Sequence, residues 1–277
     1  MRASKSWILI LLILGMLGFV LNTGPGPSAL ADDEPAAEGA EEPEAEPLTP
    51  EEARRLAKEL TRAAKRRKAV EVLPVLDELG EHMHPSFEKP LLKMLTHQSS
   101  IVAMRAADQL ALTKPESEKA GKKLGKSLWK KAFTDRANNK RYTVQGRALL
   151  AAATVEGGAP FANNRFKDLE RLWRTVIGDP REANAPAIVA VCEYVRLTKD
   201  KRLCRKLAEE IDEPGATAVN SPTNPPASWW EKRWKMWKQY KAEVVETLEE
   251  LTGESFKDAA SAKAWFEANE KEFGFRW

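Results

Sequence analysis

The sequence predicts an all-α fold, and two observations support this prediction. Apolar residues recur three or four positions apart in successive segments of ten to seventeen residues, which places them on one face of a helix. No run of four to eight residues alternates between apolar and polar side chains, as a half-buried strand would. We therefore expect the 277-residue chain to form short helices joined by tight turns.

The first 31 residues are predicted to be a signal peptide. Arg2 and Lys5 precede an apolar run, residues 7–21, and Ala29 and Ala31 place small side chains where a signal peptidase cuts. The run is shorter than the ~20 residues that a membrane-spanning helix needs. We expect cleavage near Ala31 and an exported protein, periplasmic or extracellular, with no stable membrane insertion. Retention of the segment as an anchor is the alternative.

Residues 32–48 are predicted to form a disordered acidic linker. Eight acidic and no basic residues lie between Asp32 and Pro47, with almost no apolar side chains to bury. From Leu48 onward 42 basic residues oppose 33 acidic ones, so the body has a net charge of +9. The linker could screen basic surfaces of the body, although a solvating spacer is the simpler role.

A helical repeat region is predicted over residues 49–213. Thr49 and Glu52 match a capping box with proline at the first helical position, so a helix begins there and extends to about Arg67. The next segment has leucine and valine at helical spacing and stops at Gly80. Further helical segments are expected over residues 86–97, 99–114, 115–133, 142–158, 163–179, 184–200 and 201–212.

Two parts of this region align through a shared Leu-Thr-Lys, with Leu112 on Leu197. The interval between them would hold two repeats of roughly 42 residues, the length of HEAT and armadillo units. Residues 50–212 therefore resemble a HEAT-type α-solenoid, and residues 251–273 are similar to the tail of secreted bacterial HEAT-repeat proteins. The resemblance implies a binding scaffold and supplies no catalytic residues.

A Pro/Gly-rich connector, residues 214–227, leads to a predicted Trp-rich helical hairpin, residues 228–277. Ser228 and Glu231 match a second capping box, and Gly253 is expected to end this helix. At 100° per residue the aromatic side chains separate from most of the charges. The expected apolar stripe contains Trp230, Trp234, Trp237, Val244, Val245 and Leu248, flanked by Trp229, Met236, Tyr240 and Leu251.

The stripe predicts burial in a core, with a last helix around residues 259–273 as packing partner. Lys241 near the centre of the stripe and Arg233 on its flank keep two alternatives open, a groove for a partner and contact with a membrane interface. The candidate partner-binding residues are Trp229, Arg233, Trp237, Tyr240 and Lys241.

The most basic part of the chain is residues 114–147, with eleven basic and three acidic residues. This net charge of +8 could bind an anionic polymer or surface, and a solvated helix face is the alternative. The candidate anion-binding residues are Lys119, Lys122, Lys123, Lys126, Lys130, Lys131 and Arg141. Residues 120–127 also fit a relaxed phosphate-loop pattern. They follow the start of a helix rather than a strand, so we expect no nucleotide binding.

The sequence gives less support for a metal site or a disulfide than for the two binding surfaces described above. His82, His84 and His97 lie near one turn, and ordinary surface histidines are favoured over a zinc or copper site because no HExxH pattern occurs. Cys192 and Cys204 can face each other across a helical hairpin. They form either a disulfide, which export would permit, or two buried thiols.

Neither an enzymatic activity nor a cofactor is predicted, since no nucleophile motif accompanies the three histidines. The expected function is a non-catalytic, exported scaffold for an unidentified protein partner. The alternative is a binder of an anionic envelope polymer or surface through residues 114–147.

Overall fold

A computed structural model of the protein describes residues 48–155, 163–215 and 224–273. All regular elements in these ranges are helical and none is a strand, which confirms the all-α prediction. The predicted signal peptide, nearly all of the acidic linker and the middle of the connector lie outside the described residues. Within the described ranges, no helix combines the length and the apolar character needed to cross a bilayer.

The α-helices are numbered here in chain order. They are α1 (Pro50–Ala63), α2 (Leu73–Leu79), α3 (Glu88–Met94), α4 (Ser100–Ala111), α5 (Glu118–Thr134), α6 (Tyr142–Val155), α7 (Asn163–Gly178), α8 (Ala185–Thr198), α9 (Cys204–Ala208), α10 (Ala227–Thr252), α11 (Ala259–Ala268) and α12 (Glu270–Phe273). Single 3-10 turns precede α2, α3, α6, α8 and α9. Residues 120–127 lie inside α5, so the phosphate-loop pattern belongs to a continuous helix.

Several helix ends follow from the local sequence. The Thr49 side chain accepts a hydrogen bond from the Glu52 backbone N–H, and the Glu52 carboxylate accepts one from the Thr49 backbone, so this capping box is confirmed. Gly80 and Gly253 end α2 and α10 with φ of 53° and 76°, in the left-handed region that glycine adopts without strain.

Two predicted helix ends differ from the structure. α1 ends at Ala63 rather than near Arg67. α10 begins at Ala227 after Pro226, so Ser228 is already inside the helix and the second capping box is wrong. A capping box that the sequence reading missed opens α11, where the Asp258 side chain accepts from the Ser261 backbone N–H at 2.7 Å.

Four helices stack side by side in chain order and form a row. α4 packs on α6, α6 on α8 and α8 on α10, and these are among the most extensive helix contacts in the described residues. The helices begin at Ser100, Tyr142, Ala185 and Ala227, so successive starts are 42, 43 and 42 residues apart. The spacing of α4, α6 and α8 agrees with the expected repeat length, whereas contacts between the α8 and α10 segments join residues 47, 51 and 57 positions apart. α3, α5, α7 and α9 each pack against the row helix that follows them.

α8 and α10 run in the same direction. Contacts pair Glu182 with Gln239, Arg196 with Glu243 and Lys199 with Glu250, so residue numbers rise together along both helices. The first turns of α10 therefore extend past the start of α8 and lie beside the end of α7. There the Trp229 Nε1 donates to the Gly178 carbonyl oxygen at 3.4 Å.

The apolar stripe of α10 is rotated relative to the expected one. Its buried residues are Arg233, Met236, Trp237, Tyr240, Val244, Thr247, Leu248 and Leu251, while Trp230, Trp234 and Val245 are half-buried. The reason is that α8 and α9 provide its main packing surface, and α11 packs mainly on α9. The expected packing of α10 on the last helix is therefore wrong.

Candidate functional site

The middle helices of the row, α4, α6 and α8, share one solvent-accessible surface, which we call the open face. Its residues recur three or four positions apart on each helix and lie at equivalent points of the 42–43-residue repeat. They are Ile101, Arg105, Asp108 and Leu112 at α4, Thr143, Arg147, Leu150 and Thr154 on α6, and Pro186, Val189, Glu193 and Leu197 on α8.

Large apolar side chains are concentrated on the open face. Ile101, Leu112 and Leu197 are 56%, 41% and 38% exposed, and they are three of the four exposed large hydrophobic residues within the described ranges. The fourth, Val70, lies before α2 and is 74% exposed. Ile101 lies in the first turn of α4, whereas Leu112 follows the end of α4 and Leu197 lies in the last turn of α8, so the three side chains are spread along the open face.

Arginine–carboxylate pairs join neighbouring helices along the row. Arg147 on α6 contacts Asp108 on α4 at 3.9 Å and Glu193 on α8 at 3.5 Å. Farther along, Arg196 on α8 contacts Glu243 on α10 at 2.8 Å. Burial raises the pKa of Glu193, and the nearby Arg147 partly opposes that shift. These pairs bridge α4 to α6, α6 to α8 and α8 to α10.

A groove of about 540 Å³ lies at the N-terminal end of the open face. Five cationic residues line it, and Asp108 is the single acidic residue in its lining. The cations are Arg105, Lys140, Arg141, Arg147 and Arg181. Arg105 and Arg181 lie outside the basic region recognised in the sequence. Arg105 and Arg181 lie next to the three cations of the basic region because stacking brings together equivalent parts of neighbouring repeats.

Arg141 is held rigidly in this groove. Its Nε donates to the Ser100 Oγ at 3.3 Å and its Nη1 to the Asn138 Oδ1 at 3.0 Å. Its Nη2 is enclosed and has no hydrogen-bond partner among the described residues. Burial lowers the pKa of Arg141, because no carboxylate of the described chain compensates its charge.

Lys140 adjoins Arg141 and has an unusual backbone. Its φ is 62°, and Lys199 is the other non-glycine residue with positive φ in the described ranges. This conformation is unfavourable for a residue with a Cβ. Neither Lys140 nor Arg141 forms an ion pair within the part of the chain that the structure describes.

The structure divides the predicted anion-binding residues into two groups. Lys119, Lys122, Lys123, Lys126 and Lys130 are exposed along α5. Lys131 is half-buried and contacts Asp135 at 3.2 Å, and Lys122 pairs with Glu118. Arg141 lies in the groove, away from the solvated face of α5.

The predicted partner-binding residues of α10 are mostly internal. Arg233, Trp237 and Tyr240 are buried, so the core interpretation of the stripe applies to them. Trp229 and Lys241 are half-buried, and the Lys241 Nζ lies 4.6 Å from the centroid of the Trp237 ring. The accessible part of this site is therefore smaller than the sequence indicated.

Two of the three histidine side chains make hydrogen bonds within the fold. The His97 Nε2 lies 3.1 Å from the Arg66 carbonyl oxygen, and the His84 Nδ1 lies 2.7 Å from the Ser86 Oγ. Among the residues that the structure describes, no group of three or more His, Cys, Asp or Glu side chains could hold a metal ion.

Cys192 and Cys204 are both buried free thiols in the structure. This arrangement corresponds to two buried thiols and not to a disulfide. Burial raises the pKa of each thiol to about 12.

Comparison of this chain with protein-family models, curated proteins and solved structures finds no match.

Proposed function

We propose that this protein is a non-catalytic interaction scaffold built from HEAT-like helical repeats, and that the open face is its partner-binding surface. The observation that supports this most is the regular spacing of α4, α6 and α8, which start 42 and 43 residues apart and lie side by side. Helices that repeat at this interval and contact mainly their neighbours leave an extended surface free for a partner. Export through the predicted signal peptide is part of the proposal.

The composition of the open face favours a protein as partner. Ile101, Leu112 and Leu197 offer apolar contacts, while Arg147 and the carboxylates of Asp108 and Glu193 lie between the helices that present them. Protein interfaces combine apolar contacts with charged and polar groups of this kind.

The test is affinity capture of partners from the native host with three forms of the full-length protein. The wild type should capture a reproducible partner, and the double variant Ile101→Glu/Leu197→Glu should lose it because two charges are placed on the open face. Val70→Glu is the matched control, since Val70 is more exposed than either residue and lies off this face. A partner that the double variant retains, or that Val70→Glu loses equally, would contradict the proposal.

A second candidate function is binding of an anionic envelope polymer through α5. It is supported by the five exposed lysines, Lys119, Lys122, Lys123, Lys126 and Lys130. Retention on a sulfated polysaccharide column should then weaken steeply with salt and should fall further in Lys123→Glu/Lys126→Glu. Salt-insensitive retention would count against it.

A further inference from the structure

We propose that the groove at the N-terminal end of the open face binds an acidic peptide segment that also contains apolar side chains. This proposal rests on the scaffold function and specifies the chemistry of the partner. The groove is lined by residues from α4, from α6 and the turn before it, and from α8 and the turn before it, so it exists only because three repeats stack.

The charge of the groove favours a ligand with carboxylates. Arg105, Arg147 and Arg181 each have a carboxylate within 4 Å, at Asp77, Asp108 and Asp179 respectively. Lys140 and Arg141 have no such partner in the described ranges. A peptide carboxylate placed next to them would therefore meet two charges that the described part of the chain leaves uncompensated.

Arg141 is prepared for this contact by its fixed position. Ser100 and Asn138 hold two of its nitrogens, so little side-chain freedom is left to lose when an anion binds. Its Nη2 is enclosed, so Arg141 adds fixed positive charge to the groove, and the exposed Lys140 beside it is the residue that can contact the carboxylate directly.

The helices that meet at the groove add to the positive potential. α4, α6 and α8 have 12, 14 and 14 residues, and each begins at the groove. The N-terminal end of a helix has a partial positive charge from its unpaired N–H groups. Lys140, which lies just before α6, has a positive φ. Strained backbone of this kind is often found at binding sites.

The apolar lining distinguishes a peptide from a simple polyanion. Ile101 is more than half exposed, and Met104, Tyr142 and Pro186 also line the groove. A polyphosphate or a sulfated polysaccharide has no apolar group to place against them. A peptide with leucine or isoleucine next to its acidic residues could use both parts of the lining.

The test is fluorescence anisotropy with the full-length protein and two labelled synthetic peptides. One peptide combines glutamate with leucine, and the other has the same charge with serine in place of leucine. We expect the leucine-containing peptide to bind more tightly and its affinity to fall from low to physiological salt. Inorganic polyphosphate serves as the competitor and should displace the peptide poorly.

Three variants locate the binding. Lys140→Ala and Ile101→Ser should each weaken the leucine-containing peptide by about fivefold or more, since each removes one of the two kinds of contact. Lys126→Ala removes the same charge on α5, outside the groove, and should leave the affinity within about twofold of the wild type. Circular dichroism spectra confirm that each variant is folded.

Equal binding of both peptides, strong displacement by polyphosphate, or an unchanged affinity in Lys140→Ala would overturn the acidic-peptide proposal. The scaffold function is tested independently of the groove, by the capture experiment with Ile101→Glu/Leu197→Glu. If Ile101→Glu/Leu197→Glu loses the native partner while neither peptide binds, the scaffold stands and the groove assignment falls. If the leucine-containing peptide binds as expected but the native partner is retained by that double variant, the groove assignment stands and the scaffold surface is wrong.

Discussion

Arg233 on α10 and Glu210, just after α9, form an ion pair whose side chains are only 5% and 11% exposed. The Tyr240 hydroxyl accepts a hydrogen bond from Arg233 and donates one to the Glu210 carboxylate at 2.5 Å. The Trp237 Nε1 adds a bond to the Glu210 carbonyl oxygen at 2.8 Å. This buried polar network attaches the Trp-rich helix to the segment that follows α9, and it includes Trp237 and Tyr240, the two buried aromatic residues of α10.

Replacing Arg233 with methionine should destabilise the protein by about 3–5 kcal/mol, because Glu210 would remain buried without a compensating charge. The free energy of unfolding is measured by urea denaturation. Adding Glu210→Gln to the same chain should recover part of the loss, since the uncompensated charge is removed. A cost of less than about 1 kcal/mol for Arg233→Met, as for an exposed pair, would contradict the importance of this network.

Gly121→Ala should destabilise the protein by about 1–3 kcal/mol. A Cβ at Gly121 would lie 2.6 Å from the Val155 carbonyl oxygen, so α5 and the end of α6 would have to move apart. Gly178→Ala is the control, because a Cβ there meets nothing within 4 Å. It lies at the end of α7 and should be neutral or stabilising by up to about 1 kcal/mol. Similar losses for both variants in urea denaturation would refute the close approach at Gly121.

Glu193→Gln should stabilise the protein near neutral pH relative to the wild type. Burial is the main cause that raises the pKa of Glu193 above its ordinary value, and the nearby carboxylates of Glu243 and Asp108 raise it further. The positive charges of Arg147 and Arg196 lower this pKa but do not cancel the rise. The folded state therefore holds this proton more tightly than the unfolded state, whose pKa is about 4.3. The contribution of Glu193 to stability must fall as pH rises from that value through the raised pKa.

Urea denaturation at several pH values between acidic and neutral tests this sign. The difference in unfolding free energy between Glu193→Gln and the wild type should increase in favour of glutamine as pH rises. The matched control is Glu249→Gln, which makes the same substitution at an exposed position of α10 and shows its effect without burial. A difference for Glu193→Gln that shrinks toward neutral pH would show that the ion pair with Arg147 outweighs burial.

Neither cysteine should react with a thiol reagent at pH 8 while the protein is folded. Burial raises the pKa of Cys192 and of Cys204 to about 12, so both remain protonated and enclosed at that pH. After denaturation without reductant, both should react in a colorimetric assay. Absence of reaction in the denatured protein would reveal a disulfide, and rapid reaction in the native protein would contradict the burial of the thiols.

Local signals in the sequence predicted much of the fold, because the chemistry of a helix end lies within a few residues. The start of α1 was predicted correctly from Thr49 and Glu52, and the ends of α2 and α10 from Gly80 and Gly253. The side of α10 that is buried could not be predicted in this way. It depends on α8 and α9, and the partner of Arg233 is Glu210 on another segment.

The groove was also beyond a linear reading, for a related reason. The sequence showed an excess of lysine and arginine around Arg141, but Arg105 and Arg181 contribute from the neighbouring repeats. Only the stacking of helices that begin 42 and 43 residues apart brings these charges together. The burial of Arg141 without a carboxylate likewise depends on Ser100 and Asn138, which surround it in the folded chain.

Lys140→Gly should separate stability from binding. Lys140 and Lys199 have φ of 62° and 54°, and glycine adopts this region without the cost of about 1 kcal/mol or more that a Cβ imposes. Both Lys140→Gly and Lys199→Gly should therefore increase the free energy of unfolding by up to about 1 kcal/mol. Only Lys140→Gly should weaken the leucine-containing acidic peptide, because Lys199 lies at the opposite end of α8, outside the groove. Equal peptide affinities in the two glycine variants would show that the Lys140 side chain takes no part in ligand binding.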